Sequence, residues 1–129
     1  MSRREEIRVP ELGEPLSHYT DAVRAGDLLF ISGVVPVDGD GNLVRADDVV
    51  EQARQVFANL AAVLAAAGAT FADVVKVNVY LTDIADRPRI NPVRQEIFGD
   101  VRPASTLVEV SALAVPGAKI EIEAVALLA

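Results

Sequence analysis

Three glutamates near the C-terminus are the residues of this chain best suited to acid–base chemistry. Glu121 and Glu123 alternate in "KIEIEAVAL", and Glu109 lies in the preceding segment "RPASTLVEV". Residues two apart on a strand point to the same face, so this spacing sets carboxylates side by side. Burial of one member of such a pair raises its pKa toward neutrality, which suits a general acid or base. Alternatively, these carboxylates pair with Lys76, Lys119 or an arginine across the sheet.

Other reactive groups are scarce. The chain has no cysteine, which excludes a thiolate nucleophile and a disulfide framework, and His18 is its one histidine. His18 is therefore a surface residue or part of a site without a second imidazole. The turn sequence "DGDGN" does not fit a calcium loop, because Leu43 and Val49 occupy the sixth and twelfth positions. The sequence thus predicts neither a metal site nor a cofactor site.

Composition limits the class of partner. The 129 residues are 51% hydrophobic and carry a net charge of −7, from 12 Lys and Arg against 19 Asp and Glu. An acidic chain without a basic patch repels phosphate backbones, so we expect no nucleic-acid binding. The sequence also lacks a signal peptide and an apolar run long enough for a bilayer. We expect a cytoplasmic protein that does not enter a membrane.

The hydrophobic pattern predicts the elements that must position the glutamates. A polar lead-in, residues 1–15, precedes a single domain of ββαβαββ order. The predicted strands lie within 21–37 (two, turned near 25–26) and at about 73–83, 105–113 and 119–128; the predicted helices lie at about 47–68 and 86–98. This order indicates an α+β fold with two helices on one face of a mixed sheet.

The two faces of the predicted sheet differ in polarity. Alternation assigns an apolar face, beneath the helices, to Val75, Val77, Val79, Ile120 and Ile122. It assigns the opposite face to Lys76, Asn78, Tyr80, Thr82, Ser105, Leu107, Glu109, Ser111, Glu121 and Glu123. A face that mixes charges with large apolar groups favours a subunit interface with trapped polar groups. The alternative is a face exposed to solvent.

Several motifs resemble those of one family. "FISGVVPVDGDGNLV", "VEQARQVFANLAAVLAAAGATFADVVKVNVYLTD", "RPASTLVEVSAL" and "KIEIEAVAL" are similar to segments of the Rid (reactive intermediate deaminase) family, also called YjgF-like or L-PSP-type. The resemblance spans about residues 16–128. It implies a chorismate-mutase-like fold, a homotrimeric barrel and small-molecule clefts between neighbouring subunits. It also implies cofactor-free hydrolysis of enamines and imines, such as 2-aminoacrylate, to 2-oxo acids and ammonia.

The resemblance assigns roles to individual residues. Tyr19 and Ser32 match residues that line the cleft, and Asn91 matches a cleft asparagine. Glu121 matches the glutamate proposed to position or activate water. Gly33 matches a glycine where a side chain would crowd the pocket.

Departures from the family pattern point to a different ligand. Ser105 stands where the deaminating subgroup has an arginine that clamps the substrate carboxylate, and Leu107 stands where it has a cysteine. Loss of that charge-assisted anchor, about 1.5–3 kcal/mol, weakens a 2-imino acid roughly tenfold or more. Arg102 or Arg94 would have to reach the cleft to replace it. His18 stands in place of a proline common before the tyrosine.

These observations leave three hypotheses. The first is hydrolysis of an imine, an enamine or a related reactive metabolite, with Glu121 as the catalytic residue. The second is a non-catalytic trimer that binds a small metabolite or regulates through it. The third is ribonuclease activity, against which the net charge, the lone His18 and the lack of a basic patch argue.

Overall fold

The computed structural model describes residues 3–129, which form one six-stranded sheet and two helices. The strands are β1 (Arg4–Ile7), β2 (Ala22–Ala25), β3 (Leu28–Val34), β4 (Val74–Leu81), β5 (Ala104–Glu109) and β6 (Ile120–Leu127). The helices are α1 (Val49–Ala66) and α2 (Arg87–Phe98). The strand order is β1-β2-β3-β6-β4-β5, and every pair is antiparallel except β4 with β5. The predicted α+β fold with a mixed sheet is confirmed.

Both helices cover the same face of the sheet, as predicted. The apolar stripe of α1, including Phe57 and Leu60, is buried against the sheet. Phe57 and Phe98 pack edge to face with ring centroids 5.9 Å apart, which joins α1 to α2. This helix-covered side holds the hydrophobic core.

The ends of α1 follow from its sequence. Asp48 is the N-cap, and its carboxylate accepts hydrogen bonds from the backbone N–H groups of Val50 and Glu51 at 3.0 and 3.1 Å. Beyond the C-terminal end, Gly68 adopts a φ of 76°, a left-handed conformation that glycine tolerates best. The observed helix therefore lies inside the predicted range of about 47–68.

The lead-in contributes a strand that the sequence did not predict. β1 pairs with β2, and Asp21 holds the segment that follows by accepting from Arg8 Nη1 at 2.5 Å and from the Val9 backbone N–H at 2.7 Å. β1 lies at the edge of the sheet and is mostly exposed, so its sequence shows no apolar alternation. That absence concealed the strand.

The prediction that Ser105, Leu107 and Glu109 share a face with Glu121 and Glu123 is wrong. In the parallel pairing of β5 with β4, Ser105 lies beside Val77, Leu107 beside Val79 and Glu109 beside Leu81. These β4 residues belong to the helix-covered face, whereas Glu121 lies beside Tyr80 on the other. Alternation defines two faces within a strand, but only the register to its neighbour says which face is which.

Val75 is a second correction. It was predicted to lie beneath the helices with Val77 and Val79, but it is 45% exposed. The register between β4 and β6 shifts between Val74 and Lys76, and the extra residue of this irregularity turns Val75 outward. Val74 is buried in its place.

The face away from the helices is hereafter the open face. It carries the polar side chains of Lys76, Asn78, Tyr80, Glu121 and Glu123, which the sequence assigned to it. It also exposes large apolar side chains: Leu28, Phe30, Val108 and Leu127. No helix within residues 3–129 has both the length and the apolarity to cross a membrane.

Candidate functional site

Glu121 lies against the backbone of β3 because Gly33 has no side chain. A Cβ built on Gly33 would lie 2.9 Å from Glu121 Cδ and would overlap Oε2. The carboxyl group thus occupies the space that any other residue at position 33 would fill. This contact across the β3–β6 pair fixes where the carboxyl group can sit.

A cavity of about 290 Å³ opens at Glu121, hereafter the glutamate cavity. It is lined by Leu16, Ser17, Tyr19, Ser32, Gly33, Val35, Ala114 and Glu121. The structure therefore brings together four residues that the resemblance assigned to the cleft: Tyr19, Ser32, Gly33 and Glu121. A second cavity of about 270 Å³ shares Leu16, Tyr19, Ser32, Gly33 and Val35 with it.

Two hydroxyl groups of the glutamate cavity, those of Tyr19 and Ser32, have defined hydrogen-bonding roles. The Ser32 hydroxyl donates to the Thr20 carbonyl at 2.6 Å, which leaves its oxygen free only to accept. The Tyr19 hydroxyl accepts from the Leu16 backbone N–H at 3.2 Å, which leaves its own proton free to donate. These two hydroxyl groups thus offer a ligand one acceptor and one donor.

The pKa of Glu121 is raised above the ordinary carboxyl value. Burial is the larger cause because it disfavours the charged form, and the nearby charge of Glu123 adds to it. Within the described residues no hydrogen-bond donor is recorded for Glu121, whereas Glu123 accepts from Asn78 Nδ2 at 3.0 Å and from the Tyr80 hydroxyl. The contact with Glu123 also raises the pKa of Tyr80. Two neighbouring carboxyl groups thus have different environments, which is typical of an acid–base pair.

A second group of candidate residues lies on the helix-covered side, between α2 and β5. Arg94 Nη2 donates to Ser105 Oγ at 2.8 Å, and burial lowers the pKa of Arg94. Asn91 is exposed one helical turn before Arg94, and Leu107 follows Ser105 on the same face of β5. We call Asn91, Arg94, Ser105 and Leu107 the arginine cluster.

Three other candidate residues lie apart from these contacts. His18 is exposed and, with Tyr19, lines a shallow pocket of about 450 Å³ beside the lead-in. Arg102 is exposed in the loop before β5, and no hydrogen bond or ion pair is recorded for it within the described part of the chain. Glu109 accepts from the Ile84 backbone N–H at 3.0 Å, so it stabilises the turn before α2.

The glutamate cavity and the arginine cluster do not meet within one chain. Glu121 points to the open face, and Ser105 points to the helix-covered face. β6 and β5 are also separated by β4. A ligand that contacts both groups must therefore lie between two copies of the chain.

Sequence reasoning left Arg94 and Arg102 as alternative neighbours of Ser105, between which the structure selects Arg94, and it did not identify the donors of Glu123. The contact of Arg94 with Ser105 joins residues 11 positions apart on a helix and a strand, so no local pattern reveals it. The donors of Glu123 were accessible, because Asn78 and Tyr80 alternate on β4 just as Glu121 and Glu123 alternate on β6.

Comparisons with known proteins agree with this fold. Residues 11–128 match the family model described as Endoribonuclease L-PSP. The chain is 38% identical over 122 residues to the 3-aminoacrylate deaminase RutC of Acinetobacter baylyi, covering 94% of this chain and 96% of that protein. It is 34% identical over 128 residues to a 2-iminobutanoate/2-iminopropanoate deaminase of Dermatophagoides farinae, covering 99% of each.

A solved structure has the same fold over nearly its whole length. The crystal structure of E. coli TdcF with bound serine superposes with a TM-score of 0.88 at 31% identity, covering 97% of this chain and 99% of that one. The matches extend over nearly the whole chain at both levels of comparison. The chain belongs to the Rid family, whose model carries the L-PSP description.

Proposed function

We propose that this protein hydrolyses a small enamine or imine to a carbonyl compound and ammonia, at sites between copies of the chain, with Glu121 as the catalytic acid–base. The observation that carries the proposal is the Glu121 carboxyl group, which has a raised pKa and lies in a cavity against Gly33. A raised pKa brings a carboxyl group closer to the pH at which it can both give and take a proton. The names of the two deaminating relatives support this class of substrate.

The proposed reaction requires only water. Protonated Glu121 gives its proton to the β-carbon of an enamine, or to the nitrogen of an imine, to form an iminium ion. The carboxylate then takes a proton from water as the water oxygen bonds to the iminium carbon. Glu121 then gives that proton to the carbinolamine nitrogen, and the C–N bond breaks to release ammonia. The hydroxyl proton returns to the carboxylate as the C=O bond forms, so that C=NH and H2O become C=O and NH3.

Two hydroxyl groups are placed to orient the reacting amine. Ser32 can only accept, which suits an N–H of the substrate, while Tyr19 can donate to a developing oxygen. We propose these two as substrate-binding residues together with Gly33, which leaves the space that the reaction needs. Asn91, Ser105 and Leu107 would contact the substrate from a neighbouring copy. His18 and Arg102 remain candidates at the periphery.

The working form that we infer is the homotrimer implied by family resemblance. The two groups of candidate residues lie on opposite faces of the sheet, which supports a site completed by another chain. The exposed apolar side chains of the open face support an extensive contact between copies. The ligand would then sit in the cleft between neighbouring subunits.

We do not carry the endoribonuclease description over to this chain. A net charge of −7 opposes association with RNA. The glutamate cavity contains Glu121, and the second cavity is lined by Glu14, Asp21 and Asp40. We therefore propose a small-molecule substrate and no nucleic-acid partner.

The test is ammonia release from 2-iminobutanoate generated in situ, compared between the wild-type protein and Glu121→Gln. We expect the substitution to lower the catalysed rate about 10²- to 10⁴-fold, because it removes the acid–base but keeps the shape of the side chain. Glu109→Gln is the matched control, since its amide oxygen can still accept from Ile84 and it faces the other side of the sheet. This control should retain the wild-type rate.

The pH profile provides a second readout. The proposed reaction begins with protonated Glu121, so the rate should fall as the pH rises through the raised pKa of this carboxyl group. An equal rate for wild type and Glu121→Gln would overturn the proposal. Ligands that stabilise the wild-type protein and are recovered unchanged would instead support the non-catalytic binding alternative.

A further inference from the structure

Arg94 has an environment unlike that of the arginines that form ion pairs in this chain. Arg8 pairs with Asp21, Arg54 with Glu96 and Arg89 with Asp86. Arg94 is partly buried, and its recorded hydrogen-bond partner is the neutral hydroxyl of Ser105. Within residues 3–129 no carboxylate lies at ion-pair distance from it.

Within the described part of a single chain, no opposite charge offsets the cost of partly burying the Arg94 cation. Burial alone accounts for the lowered pKa, with no contribution from a nearby charge. A guanidinium group keeps its charge at neutral pH and has five N–H donors in a planar fork, so one bond to Ser105 leaves most of them unused. Such a fork matches the two oxygens of a carboxylate.

We propose that Arg94, oriented by Ser105, is the group that binds the carboxylate of the substrate. This inference rests on the proposed function, because it names the substrate class as enamines and imines that carry a carboxylate next to the reacting carbon. It also revises the expectation that Ser105 weakens 2-imino acids. The cation comes from α2 instead of β5, and the hydroxyl of Ser105 both accepts from Arg94 and has a proton of its own to donate.

The short side chain at position 105 is part of this arrangement. Ser105 is exposed on β5, and its hydroxyl holds Nη2 of Arg94 at 2.8 Å, so the remaining guanidinium donors stay free for a ligand. Asn91 lies one turn earlier on α2 and is exposed, which offers a second polar group to the same ligand. Leu107, two residues after Ser105 on the same face of β5, is the apolar member of the cluster. The arginine cluster thus has the composition of a site for a small acid with a short apolar chain.

Binding of 2-oxobutanoate, a stable compound with the same carboxylate, tests the proposal without requiring turnover. We expect calorimetry to show binding to the wild type, about 10- to 100-fold weaker binding to Arg94→Gln and intermediate binding to Arg94→Lys. Arg87→Gln is the matched control: it removes the same charge from an exposed position of the same helix and should bind as the wild type does. Butanone, which lacks the carboxylate, should bind every variant equally weakly.

A kinetic measurement links the same residue to substrate. For ammonia release from 2-iminobutanoate, Arg94→Gln should raise KM by a similar factor with a smaller effect on kcat, because uniform binding is lost. Ser105→Ala should raise KM by roughly 2- to 5-fold, since the guanidinium keeps its charge but loses its orienting partner.

Several outcomes would overturn the inference. Unchanged binding of 2-oxobutanoate to Arg94→Gln, or a loss in Arg102→Gln instead, would remove Arg94 from the site. A change in the assembled mass of Arg94→Gln, measured by sedimentation, would show that a neighbouring chain supplies the counter-charge. Failure of the proposed function is distinct: ammonia release would then be absent, while Arg94-dependent binding of 2-oxobutanoate would persist.

Discussion

The Glu121 carboxyl group occupies the space that a side chain at position 33 would fill. A methyl group at this position therefore displaces the carboxyl group and tests its catalytic role. Gly33 lies outside the left-handed region, so alanine brings no backbone strain there. The overlapping atom, Glu121 Oε2, ends a flexible side chain that can rotate away. We expect Gly33→Ala to lower the free energy of unfolding by about 1 kcal/mol or less. Its ammonia release should fall at least about tenfold, because the carboxyl group is displaced.

Gly26→Ala is the matched control for Gly33→Ala. Gly26 has a φ of 61°, and a Cβ at this position would have no neighbouring atom within 4 Å, so alanine meets strain but no clash. It should cost roughly 1 kcal/mol of stability and leave the rate unchanged. Equal rates for wild type and Gly33→Ala would contradict the role given to Glu121.

Sequence reasoning predicted part of the arrangement at this scale. Motif resemblance selected Tyr19, Ser32, Gly33 and Glu121 together, and the structure places all four around one cavity. It left Arg94 and Arg102 as alternatives beside Ser105, because the contact depends on how α2 packs beside β5. Packing between elements is not encoded in the periodicity of either one.

At the scale of the elements, a buried side chain of α1 holds the segment that leads into β6. Gln52 is completely buried, and its Nε2 donates to the carbonyls of Arg45 and Gly117, each at 3.2 Å. Its Oε1 accepts from the Lys119 backbone N–H at 2.7 Å. Because Lys119 directly precedes β6, these bonds help to set the position of Glu121.

Gln52→Leu should therefore destabilise the protein. It keeps the size of the side chain but leaves two carbonyls and one N–H without partners, which we expect to cost about 2–5 kcal/mol in the free energy of unfolding. Urea denaturation followed by circular dichroism measures this cost. Gln95→Leu, at an exposed position on α2, should change stability by no more than about 0.5 kcal/mol. Comparable losses for both variants would show that the bonds of Gln52 contribute little.

The elements also show where sequence patterns suffice and where they do not. The 3.6-residue period and the capping residues of α1 predicted its ends within two residues, because both signals are local. The face of Ser105 was predicted wrongly, because the register between β4 and β5 depends on tertiary contacts. The outward turn of Val75 has the same origin, in a local irregularity of the β4–β6 pairing.

At the scale of the whole molecule, the open face should hold the copies together. Phe30 is 46% exposed there, and full burial of such a side chain contributes about 1.5–3 kcal/mol. We expect Phe30→Lys to convert the assembly to monomers at micromolar concentration, as measured by sedimentation. Ammonia release should be lost with it, because each proposed site is completed by a second chain.

Ile84→Lys provides the comparison for Phe30→Lys. Ile84 is equally exposed, at 46%, but lies in the turn before α2 and away from the open face. This variant should keep both the assembled mass and the rate. A Phe30→Lys protein that stays assembled would contradict the role of the open face.

The burial that raises the pKa of Glu121 suits catalysis, but it also lowers the stability of the folded protein once this carboxyl group is ionised. Because folding raises its pKa, the contribution of Glu121 to the free energy of unfolding is fully present below the pH range in which an unfolded carboxyl group titrates. This contribution is lost as the pH rises through the raised value. Glutamine at position 121 has the same shape but does not ionise, so it does not lose stability as the pH rises. Selection for thermal stability alone at neutral pH should therefore enrich Glu121→Gln and yield a more stable but inactive protein.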